Sequence, residues 1–196
     1  MNRRFEAVLQ LPVFGIALLV ASCALKSAGA DLETARKQFL SGDYTAVVAS
    51  AEKALKDLPD DEDWNWLLIK SLLETGQYPE ANRATTNALA QEPRSLRLRW
   101  LAREVFQSNG QSEAAAECVE RIIRTVSSRP SAYRDAPSLV VFAQAVLLMG
   151  ADPKRVLDQL FDTAKKAEPK LREVYLASGE LALEKHDSAL AAKRFE

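Results

Sequence analysis

The chain has 196 residues, of which 27% are charged and 47% are hydrophobic. The 26 basic and 27 acidic residues are mixed along the chain and leave a formal net charge of −1, so no bulk positive field favours nucleic acid. Apart from its first thirty residues, the chain is long enough for one continuous folded array and too short for an independent catalytic domain beside it.

Residues 1–30 differ in composition from the remainder and have the layout of an export signal. Arg3 and Arg4 give a positive start, residues 13–21 form an apolar core, and the small residues 27–30 precede Asp31. This order predicts a secretory signal peptide over 1–30 and a mature domain over 31–196.

The same stretch supports a second interpretation. Residues 19–23, Leu-Val-Ala-Ser-Cys, resemble the lipobox of bacterial lipoproteins, which implies a signal over 1–22 and a lipid on Cys23. The lipid on Cys23 would then attach the protein to a membrane. An uncleaved anchor is a third interpretation, although the apolar run is short and interrupted for a membrane span. We therefore expect an exported protein, either periplasmic or a membrane-anchored lipoprotein of a bacterial envelope.

Glycines then recur at a spacing of 34, and a tyrosine, an Ala-Leu pair and a proline recur in the same register. The repeated positions are Gly42, Gly76 and Gly110; Tyr44 and Tyr78; Ala54 with Leu55 and Ala88 with Leu89; Pro59 and Pro93. A fixed period with matching turn, aromatic, alanine and proline positions predicts one helix-turn-helix unit stacked several times.

The apolar spacing predicts both helices of one such unit. Trp64, Leu68 and Leu72 lie on one face of a helix over 63–75, and small and apolar residues mark a second helix over 78–90. Isolated helices of about 12 to 15 residues are marginal in water, so each unit must be stabilised by its neighbours.

These residues resemble the pattern of the tetratricopeptide repeat family. The unit over 62–95 carries most of the pattern: Leu68, Leu72, Gly76, Tyr78, Ala81, Ala88 and Pro93. The resemblance implies an all-α fold, a right-handed superhelical solenoid of four to five antiparallel helix pairs.

After Gly110 the period is interrupted by residues 128–137, whose two prolines predict a loop. A fourth unit is predicted with helices over 139–149 and 156–167. A fifth has His186 in the turn where glycine is usual, and the chain stops within its second helix. Because Ala191, Ala192 and Phe195 would then be exposed, we expect a piece of a longer protein, with a short frayed terminal helix as the alternative.

The sequence offers no catalytic constellation, no cofactor-binding motif and no set of metal ligands. His186 has no cysteine or carboxylate set around it, and Cys118 is interpreted as a small buried thiol. The acidic run 57–63 stands at the start of a helix, where carboxylates cap free amides, so we interpret it as structural rather than as a cation site.

The family resemblance implies a concave groove lined by the first helices, at positions ten, six, three and two before each turn glycine. These are Trp66, Lys70, Leu73 and Glu74 in the second unit, and Trp100, Glu104, Gln107 and Ser108 in the third. We predict a partner-binding surface made of Trp66, Lys70, Leu73, Arg97, Trp100 and Glu104. The alternative is that both tryptophans pack between helices, as large aromatics usually do.

A carboxylate clamp of Lys, Asn and Arg, used by some members of the family, is disfavoured because the corresponding positions lack asparagine. Those positions are Leu32, Arg36, Leu67, Arg97 and Leu101. The basic cluster of Arg94, Arg97, Arg99 and Arg103 is instead predicted to pair with nearby glutamates.

The sequence thus predicts a protein-protein interaction module that binds a peptide or helix, with no nucleic acid and no cofactor. The competing hypothesis is the accessory N-terminal part of an envelope enzyme, such as a peptidase, whose catalytic residues lie beyond Glu196.

Overall fold

The computed structural model describes residues 31–195, so both predicted signals and Cys23 lie outside the described residues. The described part contains ten helices, no strand, and no helix of the length and apolarity needed to cross a membrane. The helices are α1 (31–40), α2 (Tyr44–Asp57), α3 (Glu62–Glu74), α4 (Tyr78–Gln91), α5 (Leu96–Ser108), α6 (Ser112–Ser128), α7 (Ala136–Leu148), α8 (Pro153–Val156, a π-helical turn Leu157–Phe161, and Asp162–Ala167), α9 (Arg172–Glu184) and α10 (Ser188–Phe195). Successive helices form five pairs, which confirms the predicted all-α solenoid.

Two helices start three residues earlier than the sequence predicts. α7 begins at Ala136 rather than Leu139, because Asp135 accepts a hydrogen bond from the Ser138 amide at 2.9 Å and Pro137 occupies the first turn. α8 likewise begins at Pro153 rather than Val156. Asp152 caps it, accepting from the Arg155 amide at 2.8 Å.

The predicted loop at 128–137 is shorter than expected, because helix occupies both of its ends. α6 continues to Ser128, and Pro130–Ala132 form a single 3-10 turn before α7 begins at Ala136.

The turn inside each pair has the same left-handed backbone. Four turns use glycine with φ between 71° and 85°, and the fifth uses His186 with φ 59°, as the repeat predicted. No heavy atom lies within 4 Å of a Cβ built on any of the four glycines, so the conformation, and not space, is what favours glycine there.

His186→Gly is therefore expected to stabilise the protein by about 1 kcal/mol, because a side chain at positive φ is strained. His186→Ala keeps the strain and is the control. Thermal unfolding followed by circular dichroism measures both variants. An alanine variant that gained as much as the glycine variant would show that the imidazole, and not the backbone, is unfavourable.

The core forms three clusters along the array. The first cluster contains side chains from each helix from α1 through α5, centred on Trp64 and Ile69. The second contains side chains from α7, α8 and α9, centred on Phe161, and the third lies between them around Ile122. Each cluster takes side chains from at least two units, so each unit is stabilised by its neighbours, as stacking requires.

A side-chain hydrogen bond to a proline carbonyl recurs in the turn between one unit and the next. The buried Asn65 donates to the carbonyl of Pro59 at 3.0 Å, and Arg99, 34 residues later, donates from Nη2 to the carbonyl of Pro93 at 2.7 Å. The hydroxyl of Tyr175 donates to the carbonyl of Pro169 at 2.5 Å. In each case the donor lies six residues after a proline, and it satisfies a carbonyl in the turn that leads to the next first helix.

The last helix is better covered than the sequence suggested. Ala191 is buried, and the Phe195 ring lies directly over the backbone of Gly179, in the space that a Cβ would occupy. Arg194 also hydrogen-bonds to Asp162 of α8. Of the three side chains expected to be exposed, Ala192 is exposed, Ala191 is not, and Phe195 is only partly covered.

Candidate partner-binding surface

The first helices of the pairs lie on the inner side of the array. Each of α3, α5 and α7 packs along the next first helix, whereas the second helices make no comparably extensive contact with one another within residues 31–195. Elements that lie closer together mark the inside of a curve, so the exposed faces of the first helices line the inner surface.

Trp66 is held between neighbouring units. Its indole meets the edge of the Phe39 ring, with 5.5 Å between centroids, and the Arg97 guanidinium lies 4.8 Å from its centroid. These contacts come from α1 on one side and α5 on the other, and they leave the ring half-buried. Trp66 therefore packs against side chains of two other inner helices and still has part of its surface exposed.

The charged side chains around Trp66 pair with one another. Asp63 accepts from Arg36 at 2.8 Å and from Arg97 at 2.6 Å, so one carboxylate joins α1, α3 and α5. Lys70 lies 2.9 Å from Glu104 and 3.5 Å from Glu74.

Burial alone would raise the pKa of Asp63, but the hydrogen bonds and charges of Arg97 and Arg36 outweigh it and hold the pKa below its ordinary value. The neighbouring Glu62 shows the opposite effect. Partial burial raises its pKa, and the attraction of Arg97 and a hydrogen bond from Ser95 offset the rise only in part. The ionic cluster is thus built around Asp63.

Two of the predicted residues differ from the others. Leu73 is only 8% exposed and packs in the first core cluster, so its assignment to the binding surface was wrong. Trp100 is half-buried against the third cluster, and its indole is covered from its own helix by Arg103, whose Cζ lies 4.9 Å from the centroid. The structure therefore brings Trp66 into contact with Arg97 and Lys70 into contact with Glu104, and it places Trp100 on α5 in a separate contact with Arg103.

The basic cluster on α5 does not pair with the glutamates that the sequence suggested. Arg97 pairs with Asp63, Arg103 covers Trp100, and Arg99 is buried, with its guanidinium on the Pro93 carbonyl. Burial lowers the pKa of Arg99 from its usual high value. Each of these three arginines has a structural partner: Asp63 of the preceding unit for Arg97, the carbonyl of the preceding turn for Arg99, and Trp100 of the same helix for Arg103.

The acidic run 57–63 is confirmed as a helix start, because Asp61 accepts from the Trp64 amide at 2.9 Å. Cys118 is buried, as predicted, and burial raises the pKa of its thiol. Residues 31–195 contain no group of three or more His, Cys, Asp or Glu side chains placed to hold a metal ion.

No protein-family model matches the chain, and no curated protein matches it. Solved structures do match. TTC0263, a thermophilic TPR protein in Thermus thermophilus, superimposes with a TM-score of 0.61 at 19% identity, over 85% of this chain and 87% of that chain. PilF of Pseudomonas aeruginosa superimposes with a TM-score of 0.51 at 15% identity, over 86% of this chain and 73% of that chain.

The fold is a tetratricopeptide repeat (TPR) fold. The TPR-like array carries a second set of inner positions, exposed at Leu148 and along α9 but buried at Val140, that the sequence analysis missed because it considered the groove positions of the second and third units only. Counting ten, six, three and two residues back from the turns at Gly150 and His186 identifies it. The positions are Val140, Gln144, Leu147 and Leu148 on α7, and Leu176, Glu180, Leu183 and Glu184 on α9.

Proposed function

We propose that this protein is a TPR-family interaction scaffold that binds a peptide or a helix of a partner protein on its inner surface. The observation that carries the proposal is the row of adjacent first helices, each of which presents a polar and apolar face without a covering element. A stacked array of this kind is a long, shaped surface along which a partner can lie.

Within that surface we propose Trp66 and Trp100 as aromatic contacts for the partner, with Lys70, Arg97 and Glu104 as the polar boundary. Large rings that are half-buried and rigidly held lose little entropy on binding, which is why aromatic and arginine side chains dominate many interfaces. Trp66 is held by Phe39 and Arg97, so its exposed edge is already in a fixed orientation.

The Trp66→Ala/Trp100→Ala double variant is expected to retain little of the envelope protein that the wild-type chain captures from extracts of its host. Its helicity, read at 222 nm, should stay close to the wild-type value. Tyr78→Ala is the matched control, because Tyr78 is an exposed ring on α4, a second helix. A double variant that captures the same proteins as the wild type would contradict the role of the tryptophans, and one that loses helicity would assign both rings to packing.

We further propose that the protein is exported through the signal in residues 1–30 and acts in the periplasm or on the envelope membrane. The order of basic, apolar and small residues supports this, as does the lipobox-like sequence that ends at Cys23. The intact mass of the mature protein purified from its own host distinguishes a start at Asp31 from a lipidated start at Cys23.

A further inference from the structure

The two halves of the inner surface differ in charge. In the first half, three basic and three acidic residues of α1, α3 and α5 lie in ion pairs with one another. They are Arg36, Lys70, Arg97, Asp63, Glu74 and Glu104. These six charges cancel, and Arg103 lies over the Trp100 ring without an ion pair, so the paired carboxylates of this half offer a partner little negative charge.

The second half carries unpaired acidic groups. α7 has no charged residue, and α9 carries the exposed Glu173, Glu180 and Glu184 together with one exposed basic residue, Arg172. None of these three carboxylates forms an ion pair with another of the described residues. This half of the inner surface therefore has a net negative charge, because three unpaired carboxylates outnumber the single arginine.

The same region exposes large apolar side chains. The exposed fraction is 52% for Leu148 and 62% for Met149 at the end of α7, and 38% for Leu176 and 49% for Leu183 on α9. Leu148, Leu176 and Leu183 occupy inner positions, and α7 packs along α9. Apolar groups concentrated in one place on a surface mark interaction sites more often than single exposed residues do.

The spacing on α9 matches a helix. Leu176 and Leu183 are seven residues apart, and so are Glu173 and Glu180, which gives an apolar row beside an acidic row along the helix axis. A helix lying alongside would meet these rows with its own residues at i and i+7, one set apolar and one set basic. An extended peptide has a period of two and would not keep both rows in contact.

We propose that the inner face of α7 and α9, defined by Leu148, Leu176, Leu183, Glu173, Glu180 and Glu184, binds a cationic amphipathic helix of the partner protein. This inference rests on the proposed function and specifies the chemistry of the partner at one part of the inner surface. Leucine-like side chains of that helix contact the apolar row, and lysine or arginine side chains pair with the three carboxylates.

The direct test uses a fluorescent synthetic peptide of about 18 leucine and lysine residues whose leucines fall on one helical face. Fluorescence anisotropy with the full-length protein is expected to show saturable binding that weakens as salt rises from about 50 to about 500 mM. A peptide of the same composition with leucines spread around the helix is expected to bind at least about tenfold more weakly. Equal binding of the two peptides would overturn the proposal, because charge attraction alone would then explain it.

Variants locate the site. Glu180→Lys/Glu184→Lys is expected to weaken peptide binding by about tenfold or more, and Leu183→Ser by a similar factor. The matched control is Glu120→Lys/Glu168→Lys, which makes the same charge change at two exposed positions associated with second helices, and it should change binding by less than about twofold. If the α9 variants bind like the wild type, or if sedimentation shows that the α9 face joins two copies of this chain, the proposal is wrong.

Photo-crosslinking in the host separates this inference from the proposed function. A benzophenone amino acid is placed at Leu183, at Trp100, or at the outer position Glu120 of the full-length protein. A crosslink from position 183 to a basic amphipathic segment of another protein supports the inference. Crosslinks from position 100 but not from 183 would overturn the inference and leave the scaffold function standing, and crosslinks from neither inner position would overturn both.

Discussion

Replacing Trp64 with alanine is expected to lower the free energy of unfolding by about 3 to 5 kcal/mol. The Trp64 side chain is 2% exposed and is among the largest fully buried side chains of the described residues. It lies in the first core cluster with Val47, Leu68 and Leu98, which come from α2, α3 and α5. Truncating the ring leaves a cavity that several helices would have to close together, and close-packed helices relax only in part.

Urea unfolding followed at 222 nm measures this loss, and Trp100→Ala is the matched control. Trp100 is half-buried, so its truncation removes less buried area and should cost clearly less. Equal losses for Trp64→Ala and Trp100→Ala would mean that Trp100 is as much a core residue as Trp64, which would weaken its proposed role in binding.

The Asp63→Asn substitution is expected to cost about 1 to 2 kcal/mol at neutral pH. Two ion pairs of about 0.2 to 1 kcal/mol each and a first-turn carboxylate worth about 0.3 to 1 kcal/mol are lost together. Arg36 and Arg97 are left without their shared partner, although both are partly exposed and remain hydrated. The ionic contact that joins three inner helices then disappears.

The dependence of stability on pH follows from the direction in which the pKa of Asp63 is shifted. The folded-state pKa of Asp63 lies below its unfolded value of about 3.9, so its contribution is complete above that pH and is lost as the pH falls through the lower folded-state pKa. Asp63→Asn should therefore flatten the acid side of a plot of stability against pH, with little change in slope above about pH 5.

Glu62→Gln is the control, because the same chemical change is made one residue away, at a group whose pKa is shifted in the opposite direction. Burial raises the folded-state pKa of Glu62, so ionising it lowers stability as the pH rises through that range. Glu62→Gln is expected to be neutral or slightly stabilising at pH 7. If both variants lost the same stability, the loss would come from helix capping or local packing and not from the ion pairs of Asp63.

The repeat could be read from the sequence because its signals are local. A left-handed turn needs glycine or a residue that tolerates positive φ, and the four turn glycines and His186 all adopt it. Helix starts were predicted less well, since a cap followed by proline begins a helix before its apolar pattern does, as at Asp135 and Asp152. The sequence did not predict the hydrogen bonds that Asn65, Arg99 and Tyr175 each donate to a proline carbonyl. Three different residue types occupy this one position of the repeat, and a search for identical residues does not find them.

Repeat position does not predict how exposed a side chain on the inner surface is. Trp66 and Trp100 occupy the same position in successive units, yet Trp66 is held by Phe39 and Arg97 from two neighbouring units, and Trp100 is covered by Arg103 of its own helix. Leu73 has an inner position but is buried in the core. Position within a unit thus predicted which side of the array a residue faces, but not how much of it stays exposed.

The sequence by itself determined the all-helical array, the place of each turn and the pairing of the helices, because these depend on patterns within about 34 residues. Only the tertiary structure decided which inner charges neutralise one another and which remain unpaired, since Asp63 and Lys70 find partners one unit away, whereas Glu180 and Glu184 find none among the described residues. The physical reason is that an ion pair or an exposed apolar row depends on the side chains brought alongside by stacking, and the repeat fixes their spacing but not their chemistry.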